Sequence, residues 1–93
     1  MNEKHIERKL IDGARERGGL ALKFTSPGMV GMPDRMVIFP DGILAFVELK
    51  APGQKPRKIQ MERHRMLREF GFKVFVADTP ERVMEVLDEI HSS

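Results

Sequence analysis

The stretch that decides the fold is residues 33–50, Pro33-Asp34-Arg35-Met36-Val37-Ile38-Phe39-Pro40-Asp41-Gly42-Ile43-Leu44-Ala45-Phe46-Val47-Glu48-Leu49-Lys50. Two runs rich in aliphatic and aromatic residues flank Pro40-Asp41-Gly42, the pattern of a hairpin. Pro suits the second position of a type I turn, Asp the third, and Gly the left-handed position that follows. This makes a three-residue loop with a bulge at Gly42. Its length predicts the register: Phe39 opposite Ile43, Ile38 opposite Leu44, Met36 opposite Phe46 and Asp34 opposite Glu48. Opposed residues have Cβ atoms about 5 Å apart. Two carboxylates that close repel unless one takes a proton or a cation lies between them. Lys50 projects from the same face as Glu48, by the alternation of a strand. A loop one residue shorter would send Asp34 to the opposite face. Two readings of this trio stand side by side. One is a strand-end salt bridge of Lys50 with either acid. The other is a donor set for a hard divalent cation and a reacting phosphate.

Working outward, residues 3–17 predict a helix, with Ile6, Leu10, Ile11 and Ala14 on one face and Gly18-Gly19 ending it. Residues 20–24 predict a strand, and residues 25–33, with Ser26, Pro27, Gly28, Gly31 and Pro33, a loop. Strands over 34–39 and 43–50 form the hairpin. Ala51-Pro52-Gly53 breaks the chain before a helix from about Pro56 to Phe70, closed by Gly71. Residues 72–77 predict a fourth strand. A last helix starts at Thr79-Pro80-Glu81, Thr79 as N-cap and Pro80 in the first position. The order is α-β-β-β-α-β-α, an α/β domain spanning residues 1–93, with no repeat, linker or low-complexity segment.

Ninety-three residues make one domain with a modest core, which association would help to stabilise. There is no Cys, which excludes disulfides and thiolate metal sites. No apolar run approaches the roughly 20 residues of a membrane span. The polar start, Met1-Asn2-Glu3-Lys4-His5, lacks the apolar stretch of a signal peptide, so the chain reads as intracellular. Net charge is only +2, but Lys55–Lys73 holds seven Lys/Arg against Glu62 and Glu69. Such a surface suits a polyanion, or is simply a solvated helix face.

Other side chains bear on the trio. Glu7 falls inside the apolar face of the first helix, where a carboxylate needs a cation or donors. It either joins Asp34 and Glu48 or pairs with Lys23 or Lys50, and Glu3 is the weaker candidate for the same role. On the helix from Pro56 to Phe70, the expected core face is Ile59, the stem of Arg63, Met66, Leu67 and Phe70. Gln60 lies at its edge, a boundary residue or one that orients a water or lysine. Arg57, Lys58, Arg65 and Arg68 point away and, with Lys23 and Ser26, are candidates for phosphate contact. His5, His64 and His91 lack metal-ligand spacing and read as surface residues. Gly28 and Gly31 form no phosphate-binding loop, because no Gly-Lys-Ser/Thr follows.

Glu7, Gly31-Met32-Pro33-Asp34, Glu48-Leu49-Lys50 and Gln60, in this order of elements, resemble the PD-(D/E)XK nuclease superfamily. Within it they are most similar to the VRR-NUC group. Lys23–Gly28 and Phe46–Gly53 look like its small stand-alone members from bacteria and phages, which resemble Holliday-junction resolvases. The resemblance covers roughly residues 3–90. It implies a restriction-endonuclease-like core, a four-stranded mixed sheet flanked by helices. It implies a Mg2+- or Mn2+-dependent endonuclease acting on DNA, branched DNA in particular, as a homodimer. Asp34, Glu48 and the Leu49 carbonyl would bind the cation, and Glu7 would assist directly or through water. Lys50 would position the attacking water, and Gln60 matches the family's helix glutamine. Two rival readings remain at this stage: a nuclease-like module that binds junctions without cutting, and a plain α/β domain with surface salt bridges.

Overall fold

A computed structural model describes residues 2–92. The elements run α1 (Glu3–Glu16), β1 (Leu20–Lys23), β2 (Arg35–Phe39), a short 3-10 turn (Pro40–Gly42), β3 (Ile43–Leu49), α2 (Lys58–Glu69), β4 (Lys73–Ala77) and α3 (Pro80–His91). This is the expected order, with ends shifted by one or two residues. The strands form one four-stranded sheet in the order β1-β2-β3-β4. β1, β2 and β3 are antiparallel neighbours, while β4 returns parallel to β3 after the α2 crossover.

Strand alternation divides the side chains between two layers. Val37, Phe39, Ala45, Val47, Leu49 and Ala77 face one way and pack on Ile6, Leu10 and Ala14 of α1 and Val83, Val86, Leu87 and Ile90 of α3. Phe46 and Val74 face the other way and pack with Leu67 of α2, joined by Phe24, Met36, Leu44 and Met66. The first layer is deeply buried. The second is covered by a single helix and is thinner.

The hairpin register is the expected one: Phe39 opposite Ile43, Ile38 opposite Leu44 and Met36 opposite Phe46. The turn conformation is not. Asp41, expected in the right-handed region, has φ 70° and ψ 26°, and Gly42 follows with φ 75°. Asp enters the left-handed region more readily than most residues because its short polar side chain can bond locally. The loop length is unchanged, so the register survives the different turn.

α2 also departs from expectation. It starts at Lys58, after Pro56, and its buried residues are Gln60, His64 and Leu67. Ile59, Arg63 and Met66 are half-buried at its flank, and Phe70, expected in the core, is 73% exposed. The helix is rolled so that two polar side chains face the sheet. The physical reason is the buried carboxylate beneath it, described below.

The loop between β1 and β2 is closed by the Phe24 N–H donating to the Asp34 carbonyl at 2.8 Å. Arg63 Nε holds it from above through the Val30 carbonyl at 2.9 Å. Gly31 sits at φ +91°, and a Cβ there would come within 2.9–3.1 Å of Ile59 side-chain and backbone atoms. Conformation and space both exclude a side chain. Gly31→Ala should therefore cost more than about 1 kcal/mol, a fall in melting temperature of about 4–8 °C per kcal/mol for a domain of this size. Thermal denaturation followed by circular dichroism checks it; an unchanged melting temperature would refute the close packing.

Candidate active site

Glu48 is the penultimate residue of β3, on the α2 face, and only 1% exposed. A carboxylate so deep needs donors. Gln60 Nε2 donates to its Oε2 at 3.1 Å. His64 Nε2 lies 3.4 Å from its Oε1. Lys50 Nζ lies 3.8 Å from Oε2, with most of its side chain covered. Gln60 is itself fixed, since its Oε1 accepts from the Arg57 N–H at 2.8 Å at the start of α2. Lys50 is anchored by its own N–H, which donates to the Ala77 carbonyl at 3.0 Å.

Asp34 precedes β2 and turns its carboxylate toward the end of β3. Its Oδ2 accepts from the Leu49 N–H at 2.9 Å. Its pKa is raised from 3.8 to about 6, first by burial and then by Glu48, through hydrogen bonding to the protonated form and charge repulsion. The Leu49 N–H opposes the shift without cancelling it. Asp34, Glu48, Lys50 and Gln60, four residues singled out from the sequence, thus lie together at one end of the hairpin.

Glu7 does not join them. Arg35 Nη2 donates to Glu7 Oε2 at 2.7 Å and holds its carboxyl below the usual range. The sequence reading offered Lys23 or Lys50 as partners and overlooked Arg35, which is buried and also donates to the Ala21 carbonyl at 3.3 Å. Strand alternation could have found it: Arg35 follows Asp34 and must face the α1 layer. Glu7 and Arg35 line a cleft of about 330 Å³ with Glu3, Lys4, Lys23, Asp34 and Leu49. Asp34 is the seam between this cleft and the Glu48 cluster. Among the described residues, no group of three or more His, Cys, Asp or Glu side chains is arranged to hold a metal ion.

His64 is the second correction. Expected at the surface, it is 2% exposed and meets Glu48. Its spacing from Gln60, one helical turn on, was the available signal. The expected phosphate contacts are spread more widely. Lys58, Arg65 and Arg68 line a hollow on the outer side of α2, although Arg68 also donates to the Val74 carbonyl at 2.7 Å. Arg57 is exposed at the head of α2. Lys23 lines the cleft, and Ser26 lines a separate hollow within the β1–β2 loop.

A carboxylate before β2, a Glu-X-Lys at the end of β3 and a helix glutamine on that Glu, carried on an αβββαβα core, define the restriction-endonuclease-like nuclease fold. Comparison with known proteins agrees. The chain is 44% identical over 81 residues, 87% of each chain, to "Putative nuclease p44" of Acyrthosiphon pisum secondary endosymbiont phage 1. A solved structure described as a VRR_NUC domain aligns with a TM-score of 0.85 at 31% identity, covering 92% of this chain and 94% of that one. No family model matches. The chain belongs to the VRR-NUC family of the PD-(D/E)XK nuclease superfamily.

The Asp34 shift has a signed consequence. The folded state keeps this proton up to about pH 6, whereas the unfolded chain releases it near 3.8. Stability therefore falls as pH rises from 3.8 through 6. Asp34→Asn removes the charge and keeps an acceptor for the Leu49 N–H. In EDTA the variant should melt higher than the unsubstituted chain at pH 8 and equally at pH 3.5 or below. A gain that is the same at both pH values would show that the Asp34 pKa is not raised in the folded state.

Proposed function

We propose that residues 1–93 act as one nuclease domain, a metal-dependent endonuclease that hydrolyses phosphodiester bonds in DNA. Its preferred substrate is branched DNA such as a Holliday junction. The observation that carries this reading is the convergence of Asp34 and Glu48 at the end of one hairpin, with Lys50 beside them. The pair is strained in isolation, since burial and then Glu48 raise the pKa of Asp34. A cation between opposed carboxylates is what relieves such strain.

The donor set fits Mg2+ or Mn2+. It offers hard oxygens from Asp34 and Glu48, with the Leu49 carbonyl in the same short segment. Mg2+ keeps several waters and takes few protein carboxylates, so two acids suffice. Glu7, turned toward Arg35, would assist through water from the wall of the cleft. When bound, the cation lowers the pKa of a coordinated water and offsets phosphate charge. Lys50 contributes a fixed ammonium where negative charge develops on the phosphate, and its tethered backbone limits its motion. Gln60 holds the Glu48 carboxylate and couples it to the head of α2. Lys23 in the cleft and Ser26, Arg57, Lys58, Arg65 and Arg68 around it would meet phosphates, which position a nucleic acid without reading its sequence. No helix of the described residues is long and apolar enough to cross a membrane. The proposal places its action inside the cell, where branched DNA arises.

Asp34→Ala and Lys50→Ala should each lower Mg2+-dependent cleavage of a four-way junction by about a hundredfold or more. EDTA should abolish it. Branched and linear substrates assayed side by side give the selectivity. Cleavage that survives either substitution would overturn the assignment.

The domain would work as a homodimer, giving one active site for each of two strands. An apolar row supports this: Leu20, Ile38 and Leu44 lie in register across the α2 face of the sheet. Phe72, beside Phe46, continues it, and Leu20 and Phe72 are exposed, as is Phe70 two residues earlier. Light scattering after size exclusion should give twice the chain mass, and Phe70→Glu should shift it toward the monomer. A monomer at high concentration in the unsubstituted chain would exclude the dimer.

A further inference from the structure

Glu48 meets α2 through two side chains, and the nuclease reading uses only one of them. Gln60 reaches Oε2 at 3.1 Å and His64 faces Oε1 at 3.4 Å. The two donors stand four residues apart on one helix, so they lie on one face, one turn after the other. Each takes a different oxygen. A carboxylate held at one oxygen can still rotate about its terminal bond, because that torsion is broad. Held at both, its plane is fixed. A carboxylate offers only acceptors, so the contact requires that His64 Nε2 carry the proton.

The rest of the surroundings agree with a purposeful clamp. His64 is almost fully buried, although a histidine is a costly filler for an apolar layer. α2 turns these two polar side chains inward while Phe70 is left in solvent. Among the described residues, no buried side-chain nitrogen or oxygen lacks a hydrogen-bond partner. The Glu48 end of the clamp lies beside Asp34, whose carboxyl responds to it.

We propose that His64 is a positioning residue of the active site: its Nε2–H fixes the plane of the Glu48 carboxylate, so that the free lone pairs are directed toward Asp34 for a divalent cation. The inference rests on the metal-dependent reading given above. It concerns the N–H donor and the orientation of an acid, whatever the charge of the ring. Partners that orient ligating carboxylates are worth about 10–100-fold in metal affinity or activity.

The test uses the whole chain and Mn2+ alone as the probe, with affinity read by electron paramagnetic resonance in the absence of DNA. His64→Leu removes the donor, and His64→Phe removes it while keeping a ring. His64→Gln keeps an N–H that can reach the same oxygen. The Leu and Phe variants should bind Mn2+ about tenfold or more weakly, and the Gln variant should recover most of the loss. In cleavage assays the loss should appear in kcat, with KM for DNA nearly unchanged. Melting temperature identifies any variant that fails to fold, and the other apolar variant then carries the comparison. Folded Leu or Phe variants with unaltered Mn2+ affinity would overturn the inference, as would a Gln variant as weak as they are. Both outcomes leave the nuclease reading standing. Failure of the unsubstituted chain to bind Mn2+ would remove that reading and this inference together.

Discussion

A carboxylate buried at the end of a strand must be met by donors, and the geometry of this domain follows from how Glu48 is met. Almost no solvent reaches it. Leaving such a charge without partners costs several kcal/mol. Gln60, His64 and Lys50 are those partners, and two of them come from α2. The helix is therefore oriented by polar contacts as well as by Leu67. The exposure of Phe70 is a consequence: rolling it inward would carry Gln60 and His64 away from Glu48.

The hairpin sets the other half of the site. A three-residue loop keeps Asp34 on the Glu48 side of the sheet, where its carboxylate accepts from the Leu49 N–H. One residue later the chain alternates, and Arg35 enters the α1 layer to bind Glu7. Two neighbouring residues thus serve two different clusters. The acids divide accordingly. Asp34 is strained by burial and by Glu48, while Glu7 is paired with Arg35, and the pKa shifts of Asp34 and Glu7 run in opposite directions. This division separates a strained pair of carboxylates from a third, paired acid at the rim of the cleft.

Most of the fold was legible because its signals are local. Apolar periodicity marked α1, Gly18 and Gly71 marked helix ends, and Thr79-Pro80 marked the start of α3. The hairpin register followed from loop length and was insensitive to the misjudged conformation of Asp41. α2 was read less well, because periodicity assigns polar residues to the outside. It could not weigh the demand of a buried Glu48 for donors against the burial of Phe70. His64 was misplaced for the same reason: its importance lies in a partner sixteen positions earlier on another element. Arg35 was readable in principle from strand alternation. Its pairing with Glu7 depends on how α1 crosses the sheet, which no local pattern reports.

The central claim is that one face of one hairpin brings Asp34 and Glu48 together to hold a divalent cation, with α2 fixing the second acid. The strain at Asp34 and its place beside Glu48 point to that pair. A crystal grown with Mn2+, with its anomalous scattering located, tests the claim most directly. The account predicts a peak contacted by the carboxylates of Asp34 and Glu48 and by the Leu49 carbonyl. An occupied Mn2+ site elsewhere, with Asp34 and Glu48 left bound only to protein donors, would contradict it.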